Sequence, residues 1–180
     1  MTASKPRGSV PGLTIRNLRI EDAEVISSAF YELGWDKPVT QYEKYFRRQE
    51  SGDIVVFVAE VDSAFMGYVT VVWHSGYSSF AEKGIPEISD LNVLPAFRRR
   101  GIASALMDSA EAKIAERGSV AGIGVGMTPD YGAAQKMYVL RGYVPDGRGL
   151  TQNFDPVRYK QPIVVDGSTV LWFTKDLKRA

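Results

Sequence analysis

The amino-acid sequence predicts a mixed α/β (α+β) domain, and three observations lead there. Segments of strand-like period two alternate along the chain with segments of helical period. A length of 180 residues suffices for one sizeable core, and 44% hydrophobic against 24% charged residues is an ordinary globular balance. No internal repeat or linker divides the chain, so a single domain is expected over 13–180, preceded by a flexible segment over 1–12 that is rich in Pro, Gly and Ser.

The elements follow in order. Leu13 to Leu18 alternates as a strand, and Glu21-Asp22 opens a helix whose apolar face carries Ala23, Val25, Ile26 and Phe30. Gly34 to Pro38 breaks it, and Tyr42, Tyr45 and Phe46 mark one side of a second helix over 40–49. Asp53–Glu60 and Met66–His74 read as an antiparallel hairpin turning at Val61-Asp62-Ser63. A polar loop is expected over 75–86, then a strand over 87–94 and a helix ending at Gly118, with Ile102, Ala105, Leu106, Ala110 and Ile114 at helical spacing. Val120–Met127 is the next strand. Thr128-Pro129-Asp130 offers N-cap chemistry for a helix through Leu140, with Gly142 just past its end. A strand begins at Tyr143-Val144, an irregular stretch is expected over 146–166, and Thr169–Phe173 closes the set.

Composition excludes several functions. A net charge of +1 provides no global basic field for nucleic acid. The absence of cysteine removes disulfides, thiolate metal sites and a Cys-acyl intermediate, so any acyl transfer would be direct, and no metal is expected. Neither a signal-peptide core nor a run of 18 apolar residues occurs, which predicts a cytoplasmic protein with no membrane partner.

The chemistry concentrates at Arg98-Arg99-Arg100-Gly101-Ile102-Ala103, which joins a strand to the start of a helix. Three cations, a glycine and a small alanine let helix N-terminal amides approach phosphate oxygens, and Ser104 adds a hydroxyl. No P-loop pattern occurs. Gly122-x-Gly124-x-Gly126 lacks the dinucleotide spacing and reads as one strand face over which backbone or a helix packs closely.

Arg98-x-x-Gly101-x-Ala103 resembles the pyrophosphate-binding motif of the GCN5-related N-acetyltransferase (GNAT) superfamily, and Ala134-x-x-x-Tyr138-x-x-x-Gly142-Tyr143 resembles a second motif of that family. The resemblance covers nearly the whole chain. It implies a mixed, mostly antiparallel central sheet of about seven strands flanked by about four helices, with the central strands splayed around a bound cofactor, acetyl-coenzyme A. On this resemblance Leu91, Asn92 and Val93 meet the pantetheine, with the Val93 N–H as oxyanion donor. Arg98, Arg99, Arg100, Gly101, Ile102, Ala103 and Ser104 hold the pyrophosphate, and Ala134 of the second motif is a further cofactor contact. Tyr131 stands where many relatives place Asn for a cofactor contact.

The resemblance also assigns Tyr138 as general acid. Glu87 is the candidate base and Asp90 its rival; strict alternation puts the two on opposite faces of their strand. His74 is a candidate proton relay. Trp35, Phe154, Asp155 and Tyr159 are candidates for the amine site, offering aromatic faces and an anion to an ammonium group. The expected function is acetyl transfer to a primary amine of a small molecule, with a protein or peptide acetyltransferase and a non-catalytic acyl-coenzyme A sensor as alternatives, and a homodimer left open.

Overall fold

The computed structural model describes residues 10–177, so residues 1–9 of the expected lead-in lie outside the described residues. The element order is β1 (Leu13–Asn17), α1 (Asp22–Tyr31), α2 (Val39–Glu50), β2 (Ile54–Val61), β3 (Ala64–Val72), α3 (Ser78–Lys83), β4 (Glu87–Val93), α4 (Ile102–Ala115), β5 (Val120–Gly126), α5 (Gly132–Leu140), β6 (Val144–Gln152), β7 (Asp155–Pro156) and β8 (Thr169–Asp176). The eight strands form a mixed, mostly antiparallel sheet in the order β1-β2-β3-β4-β5-β8-β6-β7. By Cα packing the chain divides into two compact units, one reaching Val71 and resuming over Asp90–Ala112, the other taking Val72–Ser89 and continuing from Lys113.

In the first unit β1 pairs antiparallel with β2, from Leu13 opposite Val61 to Asn17 opposite Phe57. The β2–β3 turn places Asp62 and Ser63 at φ of 49° and 65°, the paired left-handed conformations of a tight hairpin. α1 buries Ala23, Ile26 and Phe30, as its periodicity predicts. Val25 does not join them and is exposed. Arg16 ties three elements together: its guanidinium donates to both Asp22 carboxylate oxygens at 2.7 and 2.8 Å, and its Nε donates to Glu60 at 3.0 Å.

In the second unit β8 pairs antiparallel with β5, Gly124 opposite Trp172, and also with β6. Aromatic rings occupy the space left by the β5 glycines. A Cβ on Gly122 would stand 2.8 Å or less from three atoms of the Phe80 ring, one on Gly124 would meet Trp172 at 2.8 Å, and one on Gly126 would come within 2.8 Å of three Tyr131 ring atoms. Close packing over that face is thus the role of the three glycines, with α3 supplying Phe80 and β8 supplying Trp172.

Three expectations need correction. The stretch 75–86 is not all loop: α3 occupies Ser78–Lys83 and ends at Gly84 with φ 61°, a helix too short to show a period. The irregular region predicted over 146–166 contains most of β6 and all of β7. Asp-Gly-Arg-Gly has poor strand propensity, yet β8 pairs on both sides of it through a register shift between Pro145 and Leu150. Thr128 does not cap α5. Its hydroxyl bonds to Asp130, a 3₁₀ turn over Pro129–Tyr131 intervenes, and the helix start has no side-chain cap. Gly142 meets its expectation at φ 90°, with the Tyr143 amide donating to Tyr138 O at 3.0 Å to close the helix end.

Gly122→Ala is expected to destabilise the protein by about 1–3 kcal/mol through overpacking against Phe80. Gly132→Ala, at a helical position with no heavy atom within 4 Å of the added Cβ, is expected to stabilise it by about 0.5–1 kcal/mol. Urea unfolding of both variants checks the pair.

Candidate active site

The Arg-rich segment lies in the first unit as a shaped turn. Pro95–Phe97 forms a 3₁₀ turn, Arg99 sits at φ 62° and Gly101 at φ 88°, and α4 begins at Ile102. Ile102 is buried and anchors the helix start, whereas Arg98, Arg99 and Arg100 are exposed. The amides opening α4 have no intrahelical acceptor, so an exposed anion is their natural partner. Arg98 also has a local role, because its Nε donates to Val93 O at 3.1 Å and its guanidinium lies 5.9 Å from the Trp35 ring centre. Trp35 stacks on Phe30 at 5.4 Å.

The Leu94 amide donates to Met66 O at 2.9 Å, and consecutive strand amides point to opposite edges. The Val93 N–H therefore faces away from β3, on the same edge as its carbonyl, which accepts from Arg98.

Asp90 departs from the flat strand that alternation assumes. Its φ is 49°, a left-handed conformation that aspartate tolerates better than most residues, so the opposite-face argument fails at this position. The carboxylate is surrounded by donors. Lys37 Nζ and Asn92 Nδ2 reach Oδ1 at 3.0 and 2.7 Å, while the Tyr68 hydroxyl, the Tyr45 hydroxyl and Gln41 Nε2 reach Oδ2 at 2.5, 3.0 and 3.3 Å. Lys37 also lies 5.4 Å from the Phe30 ring centre and 5.5 Å from that of Tyr68. Five donors fill the roughly four lone-pair sites of a carboxylate. Sequence reasoning did not find Lys37, Gln41, Tyr45 or Tyr68. The four-residue spacing of the first three was the available signal.

Glu87 lies in the second unit and differs sharply. One hydroxyl, Ser75 Oγ, donates to it at 2.5 Å, and that hydroxyl is oriented by the Tyr77 amide at 3.0 Å. Burial pushes the Glu87 carboxyl above its usual value against the opposing Ser75 hydrogen bond. Tyr138 on α5 is 6% exposed, and burial, with Tyr131 adding to it, raises its phenol further above the ordinary value. Tyr131 covers Gly126, and Ala134 is half-buried one turn before Tyr138. His74 is exposed two residues past the end of β3. Phe154 stacks on Trp172 at 5.9 Å, whereas Asp155 and Tyr159 are exposed. Among the described residues no group of His, Asp and Glu could hold a metal ion, and no helix is long and apolar enough to cross a membrane.

Two outcomes follow from the contrasting carboxylates. A carboxyl with a raised native pKa binds its proton more tightly in the folded chain, so its contribution favours folding at low pH and is lost as pH rises through the native value. Glu87→Gln should therefore raise Tm relative to the parent more at about pH 8 than at about pH 4. Lys37→Met should cost about 1–3 kcal/mol by leaving Asp90 short of its cation. Asp90→Asn in the same chain should recover part of that loss, which a double-mutant cycle in urea measures.

The chain matches the family model described as the acetyltransferase (GNAT) family over residues 18–143. No curated protein matches it in sequence. Among solved structures it resembles an N-acetyltransferase from Staphylococcus aureus Mu50 (TM-score 0.70, 18% identity, covering 92% of this chain and 99% of that one). It also resembles a ribosomal-protein-alanine N-acetyltransferase from Brucella melitensis (TM-score 0.68, 16% identity, 91% and 99% covered). A third is the PaiA N-acetyltransferase from Thermoplasma acidophilum, solved in complex with coenzyme A (TM-score 0.63, 17% identity, 91% and 98% covered). With a model match over most of its length, and a turn, strand edge and buried tyrosine at the motif positions, the chain belongs to the acetyltransferase (GNAT) family.

Proposed function

We propose that the protein transfers the acetyl group of acetyl-coenzyme A directly to a primary amine of a small molecule. The observation that carries this reading is the left-handed turn at Arg99 and Gly101, which opens α4 beside a strand edge whose Val93 N–H faces away from β3. Acetyl-coenzyme A supplies an activated thioester. Gly101, Ile102 and Ala103 offer backbone amides to its pyrophosphate, Arg99, Arg100 and Ser104 add donors, and Leu91, Asn92 and Val93 offer backbone to the pantetheine.

Glu87 takes a proton from the ammonium so that the free amine can attack, a role suited to a carboxyl that burial raises above its usual value. Asp90 is not the base in this reading, because its lone pairs are already filled. The Val93 N–H supports the carbonyl oxygen as it gains charge. Tyr138, kept protonated by burial, gives its proton to the departing sulfur, and the second proton that the nitrogen sheds as the amide forms restores the phenol through solvent. With no cysteine in the sequence to carry the acyl group, amine and thioester react in one complex.

A panel of small amines and peptides with acetyl-coenzyme A, read as thiol release, tests the reading. Turnover of small amines supports it, turnover of peptides alone replaces it with a protein acetyltransferase, and coenzyme A binding without any turnover replaces it with a sensor. Tyr138→Phe should lower kcat about a hundredfold with acetyl-coenzyme A affinity nearly unchanged by calorimetry. Gly101→Glu, which puts bulk and negative charge at the α4 N-terminus, should abolish that affinity in a folded protein.

A further inference from the structure

The β6–β7 connection is a two-residue turn: Gln152 pairs with Asp155, leaving Asn153 and Phe154 between them at φ of 51° and 69°. A turn of this kind requires left-handed backbone at both central positions, and its favoured sequence is Asn-Gly. Asn153 obeys that preference. Phe154 occupies the glycine position, where a bulky side chain is strained.

The strain maintains a specific arrangement. The Phe154 ring stacks on Trp172, which stacks in turn on Tyr77 at 4.3 Å and 5° and donates its indole N–H to Thr151 at 2.8 Å. Tyr77, Trp172 and Phe80 form a buried cluster, so the inner rings are fixed. Phe154 itself remains 51% exposed. Its ring also lies against Gly76, where a Cβ would stand 3.4 Å from the Phe154 ring tip. Gly76 is the residue after Ser75, whose hydroxyl bonds to the Glu87 carboxylate. An exposed ring on a rigid aromatic ladder thus packs against Gly76, the chain neighbour of the serine that holds the candidate base.

We propose that Phe154 is a specificity-determining residue that selects amines carrying an aromatic ring, which stacks on the outer part of the Phe154–Trp172–Tyr77 ladder while the amino group is presented toward Glu87. This rests on the amine acetyltransferase reading and names the substrate class within it. A ring already fixed by packing loses little freedom when a ligand stacks on it, and aromatic pairs prefer the offset-stacked and edge-to-face geometries such a surface offers. An aliphatic amine of similar apolar area gains the burial without the ring pairing.

The test compares phenethylamine with hexylamine as acceptors, by thiol release at saturating acetyl-coenzyme A, with each kcat/KM expressed per concentration of free amine because phenethylamine is the weaker base. The parent should prefer phenethylamine about threefold to tenfold in kcat/KM. Phe154→Gly should bring that ratio near one, and Phe154→Tyr should keep it. Phe154→Gly should fold with a stability close to that of the parent, since relief of the turn offsets the lost stack on Trp172, and urea unfolding of the variant separates lost selectivity from unfolding. A parent ratio near one, a ratio retained in Phe154→Gly, or a KM change confined to acetyl-coenzyme A would overturn the proposal. If neither amine is acetylated, calorimetry of both amines against the coenzyme A-loaded protein decides: tighter phenethylamine binding that Phe154→Gly abolishes upholds the ring selection while the transferase reading fails, and equal or absent binding rejects both.

Discussion

A carboxylate held by five donors is the constraint on which the first unit depends. Asp90 interrupts β4 with a left-handed backbone, a conformation that persists only where the surroundings over-determine it. Here they do: the loop before α2 contributes Lys37, α2 contributes Gln41 and Tyr45, β3 contributes Tyr68, and Asn92 returns from β4 itself. Tyr42 extends the network, its hydroxyl 3.5 Å from that of Tyr68, with the two rings edge to face at 5.5 Å. Partly burying one anion is costly, and here the cost is offset by a cation and by hydrogen bonds to the charged form. The result is a strand bend fixed at one residue, followed by the amides that the proposed chemistry uses.

Two carboxylates three positions apart on one strand thereby acquire different characters. Asp90 has its lone pairs filled and belongs to the architecture. Among the described residues Glu87 has a single hydroxyl partner, and a burial cost raises its affinity for a proton. Environment rather than residue type separates the two roles, as it does wherever neighbouring acids divide acid and base work.

The second unit depends on omitted side chains. Glycines at alternate positions of β5 let Phe80, Trp172 and Tyr131 lie directly on the strand, and the rings stack outward to Tyr77 and Phe154. Aromatic surface buried this way is rigid, because each ring is held by its neighbours and Trp172 is also pinned by Thr151. The strained Asn153-Phe154 turn is tolerated on this platform.

By itself the sequence determined what depends on local order. Periodicity located the main helices and strands, the Asp62-Ser63 turn and the Gly142 helix end, and two spaced motifs identified the family, because these signals lie within a few residues of one another. Alternating glycines announced close packing, although not the rings that would fill it. Tertiary structure decided the rest. α3 is too short to have a period, and β6 exists only because β8 pairs with its glycine-rich sequence. The partners of Asp90 come from 22 to 53 positions away, apart from Asn92, so no local pattern could show that this carboxylate was filled while Glu87 was not. The left-handed backbone at Asp90 follows from those distant donors, and it invalidated the alternation that had placed the two carboxylates on opposite faces. Phe154 shows the same limit. In the sequence it is an aromatic candidate for the amine site within an expected irregular stretch, and only the stack on Trp172 explains why a phenylalanine stands where the turn favours glycine.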